Sequence, residues 1–410
     1  MRIAISSDLY FPMTNGVAVF AHNLARGLVL RGHDVLVLCP SMTHHGSGHI
    51  SKKEGMTTVY LRSRRFPLYP DQIEKLPEKK RIFYKNGIWF SMHPYEEVKG
   101  ALDKFKPEVI HNQTAEFIAG AVMKYAKKNN IPVVSTGHAY PDNITGQIPV
   151  IKPFKKAVDK FLINYFASFL KKSEYATVPT ELALQDLVPK DIKVPAEAVS
   201  NGVDISEFSP GKPSEKVMKK YGIDTTRPTA LYVGRVDHEK SIEHVVAAFE
   251  KVVKKIPGAR LVIVGDGVAK AALEKQAREA GLSDSVQFLG KIMPPLLYDV
   301  YRAGNVFVTA SETETQGIVL IEAAASGLPL IAVDKGAVKE ICQNKRNGVL
   351  CEAGNVGQIA RAMIKILADK KLQKEYSKES LKIAETHDFQ KSLDKFIEIY
   401  QEAIRLKSQQ

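Results

Sequence analysis

The pattern of apolar and polar positions predicts short buried strands that alternate with helices. Residues 2–5 form an apolar run that predicts the first strand. Residues 17–31 carry apolar positions at helical spacing as far as Gly32, a typical helix C-cap, and the run at 35–39 predicts the next strand. This strand–helix–strand order is typical of the right-handed βαβ unit of a doubly wound sheet.

The alternation continues to about residue 195 and then starts again. Strands are predicted at 109–110, 132–135, 176–178, 230–233, 261–265, 286–289, 306–308 and 330–333, and helices at 120–129, 157–172, 242–255 and 269–280. We therefore predict an α/β protein with two Rossmann-like, doubly wound domains that face each other across a central cleft.

The predicted domains cover residues 1–195 and 196–388, with a hinge near 195–205. The length of 410 residues suits two or three domains. An amphipathic last helix at about 389–410 is free to pack back on the first domain.

Candidate chemistry lies in the loops after strands, because open α/β sheets bind ligands at the carboxyl ends of their strands. Glu314 and Glu322 are eight positions apart, one before and one inside a helix predicted to begin near Gly317. The first amides of that helix, at Ile318 and Val319, suit a phosphate. Glu322 sits among apolar residues, where a carboxylate needs a partner such as a ribose diol.

Two cations and two further residues also follow strands. Arg235 and Lys240, five positions apart, can grip both phosphates of a diphosphate, although for these two residues taken alone a solvated pair of loop charges is the simpler interpretation. Gly16 permits close approach of a phosphate to the backbone, or is an ordinary turn glycine. His138 follows a predicted strand, and this position is its only independent support.

Together these motifs resemble the retaining family 4 glycosyltransferases of the GT-B fold, over essentially the whole chain. The residues that match the family's motifs, in order along the chain, are Gly16, His138, Arg235, Lys240, Glu314 and Glu322. The resemblance implies that Glu322 binds the donor ribose, that Glu314 lies by the sugar, and that His138 belongs to the active site. It also implies that Arg235 and Lys240 neutralise the leaving diphosphate, with backbone near Lys291 and Ile292 holding the base.

One branch of the family is the more similar. The segment 313–317, together with 65–70 and 110–114, looks like that of the enzymes that build glucosyl-diacylglycerols and related glycolipids. The stretch 138–143 departs from that branch. The resemblance implies transfer of a hexose, glucose in that branch, from a UDP-sugar to a membrane lipid such as diacylglycerol.

The uneven charge of the chain fits a membrane-bound acceptor. Residues 1–193 contain 27 Lys and Arg against 17 Asp and Glu, whereas the remainder is nearly neutral. Lys152, Lys155, Lys156, Lys160, Lys171 and Lys172 alternate with aromatic residues at helical spacing, and 75–85 adds five cations. We expect an anionic membrane surface as a partner, with a core helix whose lysines face water as the alternative.

A metal cofactor is not expected. The sequence has no Asp-x-Asp motif, so cations and helix amides are expected to stabilise the diphosphate without a metal. His44, His45 and His49 could suggest a metal clip, but an exposed loop is the simpler interpretation.

Three sparse cysteines and the absence of a long apolar run predict a cytoplasmic protein. The basic stretch and the implied lipid acceptor predict a peripheral location on the inner face of the plasma membrane. GDP-mannose as donor, or phosphatidylinositol, a polysaccharide or a small soluble molecule as acceptor, remains an alternative. A non-catalytic nucleotide-sugar-binding or nucleic-acid-binding protein is disfavoured, since the motif set is intact and no nucleic-acid-binding motif accompanies the charge.

Overall fold

A computed structural model describes residues 1–11, 15–42, 48–65, 89–138, 140, 145 and 153–409. The chain divides into two compact units, Met1–Val199 with Leu393–Gln410, and Ser200–Ser392. The first unit extends past the predicted border at 195/196 because strand pairing continues to Val199, whose amide donates to the carbonyl of Val178 (2.8 Å).

The first unit contains an eight-stranded sheet. Its strands are β1 (Arg2–Ser6), β2 (Asp34–Pro40), β3 (His49–Lys53), β4 (Met56–Leu61), β7 (Val109–Asn112), β8 (Val133–Thr136), β9 (Tyr175–Val178) and β10 (Ala196–Ala198), while β5 (Arg64–Arg65) and β6 (Trp89–Phe90) pair separately. The order is β10-β9-β8-β7-β1-β2-β4-β3. Neighbours run parallel except β3, which pairs antiparallel with β4 at the edge.

Helices connect these strands. They are α1 (Gly16–Leu30), α2 (Tyr95–Phe105), α3 (Phe117–Asn129), α4 (Lys155–Lys171) and α5 (Glu181–Leu187). The side chain of Asn15 caps α1 by accepting from the amide of Ala18 (2.8 Å). Just beyond its end, Gly32 takes a left-handed conformation (φ 80°) that suits glycine.

The second unit contains a wholly parallel six-stranded sheet. Its strands are β11 (Thr229–Val233), β12 (Arg260–Val264), β13 (Val286–Gly290), β14 (Val306–Val308), β15 (Leu330–Val333) and β16 (Gly348–Cys351). The order β13-β12-β11-β14-β15-β16 is that of a Rossmann fold. It reverses between β11 and β14, which pair directly.

Helices cover both faces of this sheet. They are α6 (Glu215–Tyr221), α7 (Ile242–Lys255), α8 (Lys270–Glu279), α9 (Leu296–Arg302), α10 (Ile318–Ala325), α11 (Val338–Ile341), α12 (Val356–Ala368) and α13 (Lys370–Thr386). In β12, Leu261 and Ile263 belong to one apolar cluster, and Val262 and Val264 to another. Because both faces are buried, these strands read as unbroken apolar runs.

The last helix, α14 (Phe389–Ser408), belongs to the first unit from Leu393 onward. There, Phe396 and Tyr400 are buried against His111, whose Nδ1 lies 2.7 Å from the hydroxyl oxygen of Tyr400. Among the described residues, no helix is both long and apolar enough to span a bilayer.

Candidate functional site

The loops that follow β11 and β14 lie side by side in the second unit. Because β11 pairs with β14 and their crossovers lead to opposite sides, these loops border the topological switch point of the sheet, where ligands bind in such folds. One loop carries Arg235 and Lys240, and the other carries Glu314. The structure thus brings together the three predicted residues of the charged cluster.

Lys240 and Glu314 form an ion pair. The Nζ of Lys240 donates to Oε1 of Glu314 (2.7 Å) and lies 3.3 Å from the hydroxyl of Ser311, while the two charged side chains are only 12% and 18% exposed. Burial acts to raise the pKa of Glu314, but Lys240 and the hydrogen bond from Ser311 outweigh it and lower the pKa. Glu314 is therefore ionised at neutral pH.

Arg235 is also paired within its own loop. Its guanidinium donates to the carboxylates of Asp237 and Glu239. Burial acts to lower the pKa of Arg235, but the two carboxylates raise it above its ordinary value. From the sequence alone, Arg235 and Lys240 are expected to be free to bind a diphosphate. In the structure both are already neutralised by carboxylates, which a diphosphate would have to displace or share.

Gly317 is the N-cap of α10 and has a left-handed backbone (φ 81°), and a Cβ there would lie 2.9 Å from the side chain of Leu320. Glycine therefore permits the sharp entry into the helix. The amides of Ile318 and Val319 fall in the first turn, outside the ladder of bonds within the helix, and the positive end of the helix dipole lies there. This is the predicted phosphate-binding position.

Glu322 lies one turn farther along α10 and is half-buried. Its Oε2 accepts from the hydroxyl of Tyr301 (2.6 Å), so the carboxylate has a partner within the protein. Burial raises the pKa of Glu322 to about 7, although the Tyr301 hydrogen bond acts in the opposite direction. The sequence suggested a ribose diol as the partner of this carboxylate and did not reveal Tyr301, which lies on α9.

Lys291 and Ile292 follow β13, farther along the same edge of the sheet. The amide of Lys291 donates to Oδ2 of Asp266 (3.1 Å), and the side chain of Ile292 is buried. Asp266 also accepts from Lys270 (3.0 Å). The backbone proposed to hold the base is thus anchored by a carboxylate of the loop that follows β12.

His138 and Gly16 belong to the first unit. His138 follows β8 and is buried, with Nε2 2.7 Å from Oε1 of Gln113 and its ring 5.3 Å from that of Phe20. Burial lowers the pKa of His138 to about 3, so the imidazole is neutral. Gly16 is the first residue of α1. Of the 138–143 stretch, 139 and 141–143 lie outside the described residues.

Two carboxylates at the switch point of the first sheet were missed. Asp8 follows β1, is 2% exposed, and accepts from the hydroxyl of Thr114 (3.2 Å) and the amide of Ile118 (3.3 Å). Burial and the neighbouring Glu116 raise the pKa of Asp8. Asp8 follows β1 and Glu116 follows the adjacent strand β7, and this placement is the sequence signal that could have identified both carboxylates.

Within the described part of the chain, no three His, Cys, Asp or Glu side chains are grouped as metal ligands. His49 starts β3 and its ring stacks on Tyr60 (4.3 Å). His44 and His45 lie outside the described residues, as do Lys152 and 75–85.

Two family models match the sequence. The model of Glycosyltransferase Family 4 matches residues 14–207, and that of Glycosyl transferases group 1 matches residues 213–383. The chain is a glycosyltransferase made of a family 4 domain and a group 1 domain. The predicted family and the predicted transferase activity are confirmed at this level.

Curated relatives agree on glycosyl transfer and differ in substrate. The alpha-monoglucosyldiacylglycerol synthase of Streptococcus pneumoniae is 28% identical over 89% of this chain and 78% of its own length. The enzyme of the same name from Acholeplasma laidlawii is 28% identical over 85% and 84%. A GDP-mannose-dependent alpha-mannosyltransferase of Mycobacterium tuberculosis is 26% identical over 86% and 84%.

The fold is shared with solved glycosyltransferase structures. Sucrose-phosphate synthase from Thermosynechococcus elongatus superposes with a TM-score of 0.75, covering 98% of both chains at 21% identity. The predicted GT-B fold of this glycosyltransferase is therefore confirmed.

Proposed function

We propose that this glycosyltransferase moves glucose from UDP-glucose to a membrane lipid, diacylglycerol, with retention of the anomeric configuration. The single observation that carries the lipid acceptor is an exposed aromatic ridge, formed by Phe154 at the start of α4 and by Phe161 and Tyr165 within this lysine-rich helix. The names of the first two relatives, both glucosyldiacylglycerol synthases, support the same acceptor.

The ridge is an unusual surface. Phe154 and Phe161 are 70% and 67% exposed and Tyr165 is 38% exposed. Their spacing of seven and four places them on one face of the helix. Large aromatic side chains are rarely left together in water without a function. Of the two interpretations of this helix, the exposure of these rings favours the membrane over the core.

Exposed lysines add positive charge elsewhere on the same helix. Lys156 and Lys160 are exposed and one turn apart, on a side of α4 that helical spacing separates from the three rings. Two other lysines of the predicted set contribute less, because Lys155 pairs with Asp159 (2.6 Å) and Lys171 with Asp191 (2.7 Å). Aromatic rings that enter the headgroup region, with cations at anionic headgroups, bind a protein in the plane of a membrane. We accordingly propose a peripheral location on the inner face of the plasma membrane.

The donor proposal rests on the charged cluster of the second unit. A departing diphosphate gains negative charge as the anomeric carbon becomes cationic. Arg235, Lys240 and the first amides of α10 would stabilise that charge, so a metal would not be needed. Glu322 would accept from the ribose hydroxyls, and Glu314 would lie by the sugar.

We also propose roles for His138 and Gly16, which belong to the first unit. The imidazole of His138 is oriented by Gln113 and stays neutral, so it would serve as a hydrogen-bonding group at the sugar rather than as a cation. Gly16 would allow α1 to begin close to a phosphate. A comparison of UDP-glucose with GDP-mannose, and of diacylglycerol with other acceptors, distinguishes this proposal from its alternatives.

The test compares donors and acceptors in one assay. Radiolabelled UDP-glucose or GDP-mannose is incubated with the full chain and vesicles of a neutral carrier lipid, to which diacylglycerol, phosphatidylinositol or neither has been added, and with glycogen in solution. We expect label in the organic phase with UDP-glucose and diacylglycerol, and release of the product's sugar by an α-glucosidase. Label on glycogen or on phosphatidylinositol, or transfer from GDP-mannose alone, would refute the proposed acceptor or donor.

A further inference from the structure

Two backbone hydrogen bonds join the loop that carries Arg235 to the loop after β12. The amide of Val236 donates to the carbonyl of Asp266 (3.0 Å), and the amide of Ala269 donates to the carbonyl of Val236 (2.9 Å). Both loops are therefore held at the same edge of the sheet. Neither contact, however, fixes where the long side chain of Arg235 points.

Asp237 links the side chain of Arg235 to the loop after β12. Its Oδ1 accepts from the amide of Val268 (3.1 Å), and its Oδ2 accepts from a guanidinium nitrogen of Arg235. The carboxylate thus spans from the backbone of one loop to the charged group of the other. Its side chain is only 23% exposed, whereas that of Arg235 is 44% exposed.

Gly267 leaves the space that Asp237 occupies. A Cβ at position 267 would lie 2.4 Å from Oδ1 of Asp237 and 2.3 Å from the carbonyl oxygen of Val236. No real Cβ makes such contacts, so any other residue would displace the loop or the carboxylate. The absence of a side chain at Gly267 and the position of the Asp237 carboxylate are thus parts of one arrangement.

Glu239 holds the same guanidinium differently. Its carboxylate accepts from Arg235 and also lies 4.0 Å from the Nζ of Lys240, so its charge is shared by the two cations. Asp237 is tied to backbone of the adjacent loop, which makes it the better anchor. A guanidinium has five N–H donors, so one that is held through two nitrogens can still donate to an oxyanion.

We propose that Asp237 is the positioning residue for Arg235, anchored on the amide of Val268 in the space left by Gly267. It sets the guanidinium in place before the nucleotide diphosphate arrives. An unrestrained arginine loses rotamer entropy when it is immobilised, and prior positioning lowers that cost. The inference rests on the proposed role of Arg235 at the diphosphate and assigns a function to a residue that does not touch the donor.

The test is a double-mutant cycle on the full chain. Asp237→Asn keeps an oxygen for Val268 but turns an amide NH₂ toward Arg235, and Asp237→Ser shortens the side chain. Each is combined with Arg235→Ala, and Asp224→Asn, an exposed turn carboxylate that accepts from Thr226, serves as matched control. Turnover and KM for UDP-glucose are measured with acceptor vesicles, together with Tm.

We expect kcat to fall about 10- to 100-fold in each folded Asp237 variant, as displacement of a stabilising group typically causes. KM for the donor should change less than kcat, and neither variant should lower kcat further in the Arg235→Ala background. Full activity of both Asp237 variants, or additive losses in the cycle, would overturn the positioning role. Unchanged turnover of Arg235→Ala alone would instead refute the proposed role of Arg235.

Discussion

The Nζ of Lys240 donates to Oε1 of Glu314 across 2.7 Å, although the two residues are 74 positions apart. The contact exists because β11 and β14 are neighbours in the sheet, so the loops after them meet. The ion pair between Lys240 and Glu314 has two consequences. It keeps Glu314 ionised, and it holds a cation that a diphosphate can share.

Loss of Arg235 or of Lys240 should lower turnover strongly and have only a small effect on thermal stability. Arg235→Ala and Lys240→Ala should each reduce kcat on the order of 10²-fold, the usual effect of removing a group that stabilises charge in the transition state. Lys240→Ala should also lower Tm by a few degrees, because it leaves the largely buried Glu314 without its cation. Steady-state transfer assays and thermal melts measure both effects.

Lys254→Ala is the control, since Lys254 is an exposed lysine paired with Glu250 on α7. It should leave turnover and Tm nearly unchanged. Near-normal kcat in either loop variant would place the diphosphate elsewhere.

Transfer should not depend on a divalent metal. We expect full activity after dialysis against excess EDTA, because the proposed stabilisation of the diphosphate comes from Arg235, Lys240 and the amides of α10. The measurement is initial rate with EDTA and after adding back Mg²⁺ or Mn²⁺. Complete loss in EDTA with recovery on addition of metal would contradict the proposed role of the cations.

Much of the fold followed from the sequence because both sheets are covered on two sides. Strands buried on both faces, such as β12 and β15, are continuous apolar runs, and each predicted strand coincides with an observed one to within two residues. The edge strand β3 was missed since all but one of its residues are exposed. The helix α13 was missed because its composition is mostly polar.

The sequence also predicted which loops carry the charged residues, but it did not predict the hydrogen-bond partners of the site residues. Placement after a strand predicts which edge of the sheet a residue occupies. It does not predict that Tyr301 reaches Glu322, or that Gln113 reaches His138, because such contacts depend on side-chain rotamers and on packing between distant segments. The missed carboxylates Asp8 and Glu116 show the same limit.

Glu322 should make stability and donor use respond to pH in opposite directions. Burial raises its pKa from 4.5 to about 7, so between these values the folded chain binds a proton that the unfolded chain has released. Stability from this group is therefore lost as pH rises from about 4.5 to about 7. Glu322→Gln removes the effect and should raise Tm relative to the unaltered protein by about 2–8 °C at pH ~8, with little difference at pH ~5.

The same substitution should weaken donor use where the carboxylate is charged. A carboxylate accepts a hydroxyl more strongly than a neutral carboxyl group does. For the unaltered protein, kcat/KM for UDP-glucose should therefore fall several-fold as pH drops below about 7, whereas Glu322→Gln should be lower and flat in this range. Glu375→Gln, at an exposed position of α13, is the control. An unchanged pH profile in Glu322→Gln would remove Glu322 from the donor site.

Membrane binding should combine a salt-sensitive part from lysines and a salt-resistant part from aromatic rings. Basic residues near an anionic surface contribute about 1 kcal/mol each, so Lys156→Glu with Lys160→Glu should lose at least about 2 kcal/mol, or roughly 30-fold in affinity. The charge reversal Lys251→Glu with Lys255→Glu is the matched control. It has the same spacing and lies at exposed positions on α7 in the second unit. Sedimentation with anionic and neutral vesicles measures the binding.

Salt separates the two contributions. Raising salt from about 0.1 M to about 1 M shortens the Debye length from about 10 Å to about 3 Å, so the lysine contribution should disappear while the aromatic contribution persists. Phe154→Ser with Phe161→Ser should remove that residual binding, because these rings are 70% and 67% exposed and available to enter the headgroup region. Undiminished binding of both the lysine and the phenylalanine variants, or the same loss in the α7 control, would show that α4 does not bind the membrane. The lipid acceptor would then lose its principal structural support, and a soluble acceptor would become the better proposal.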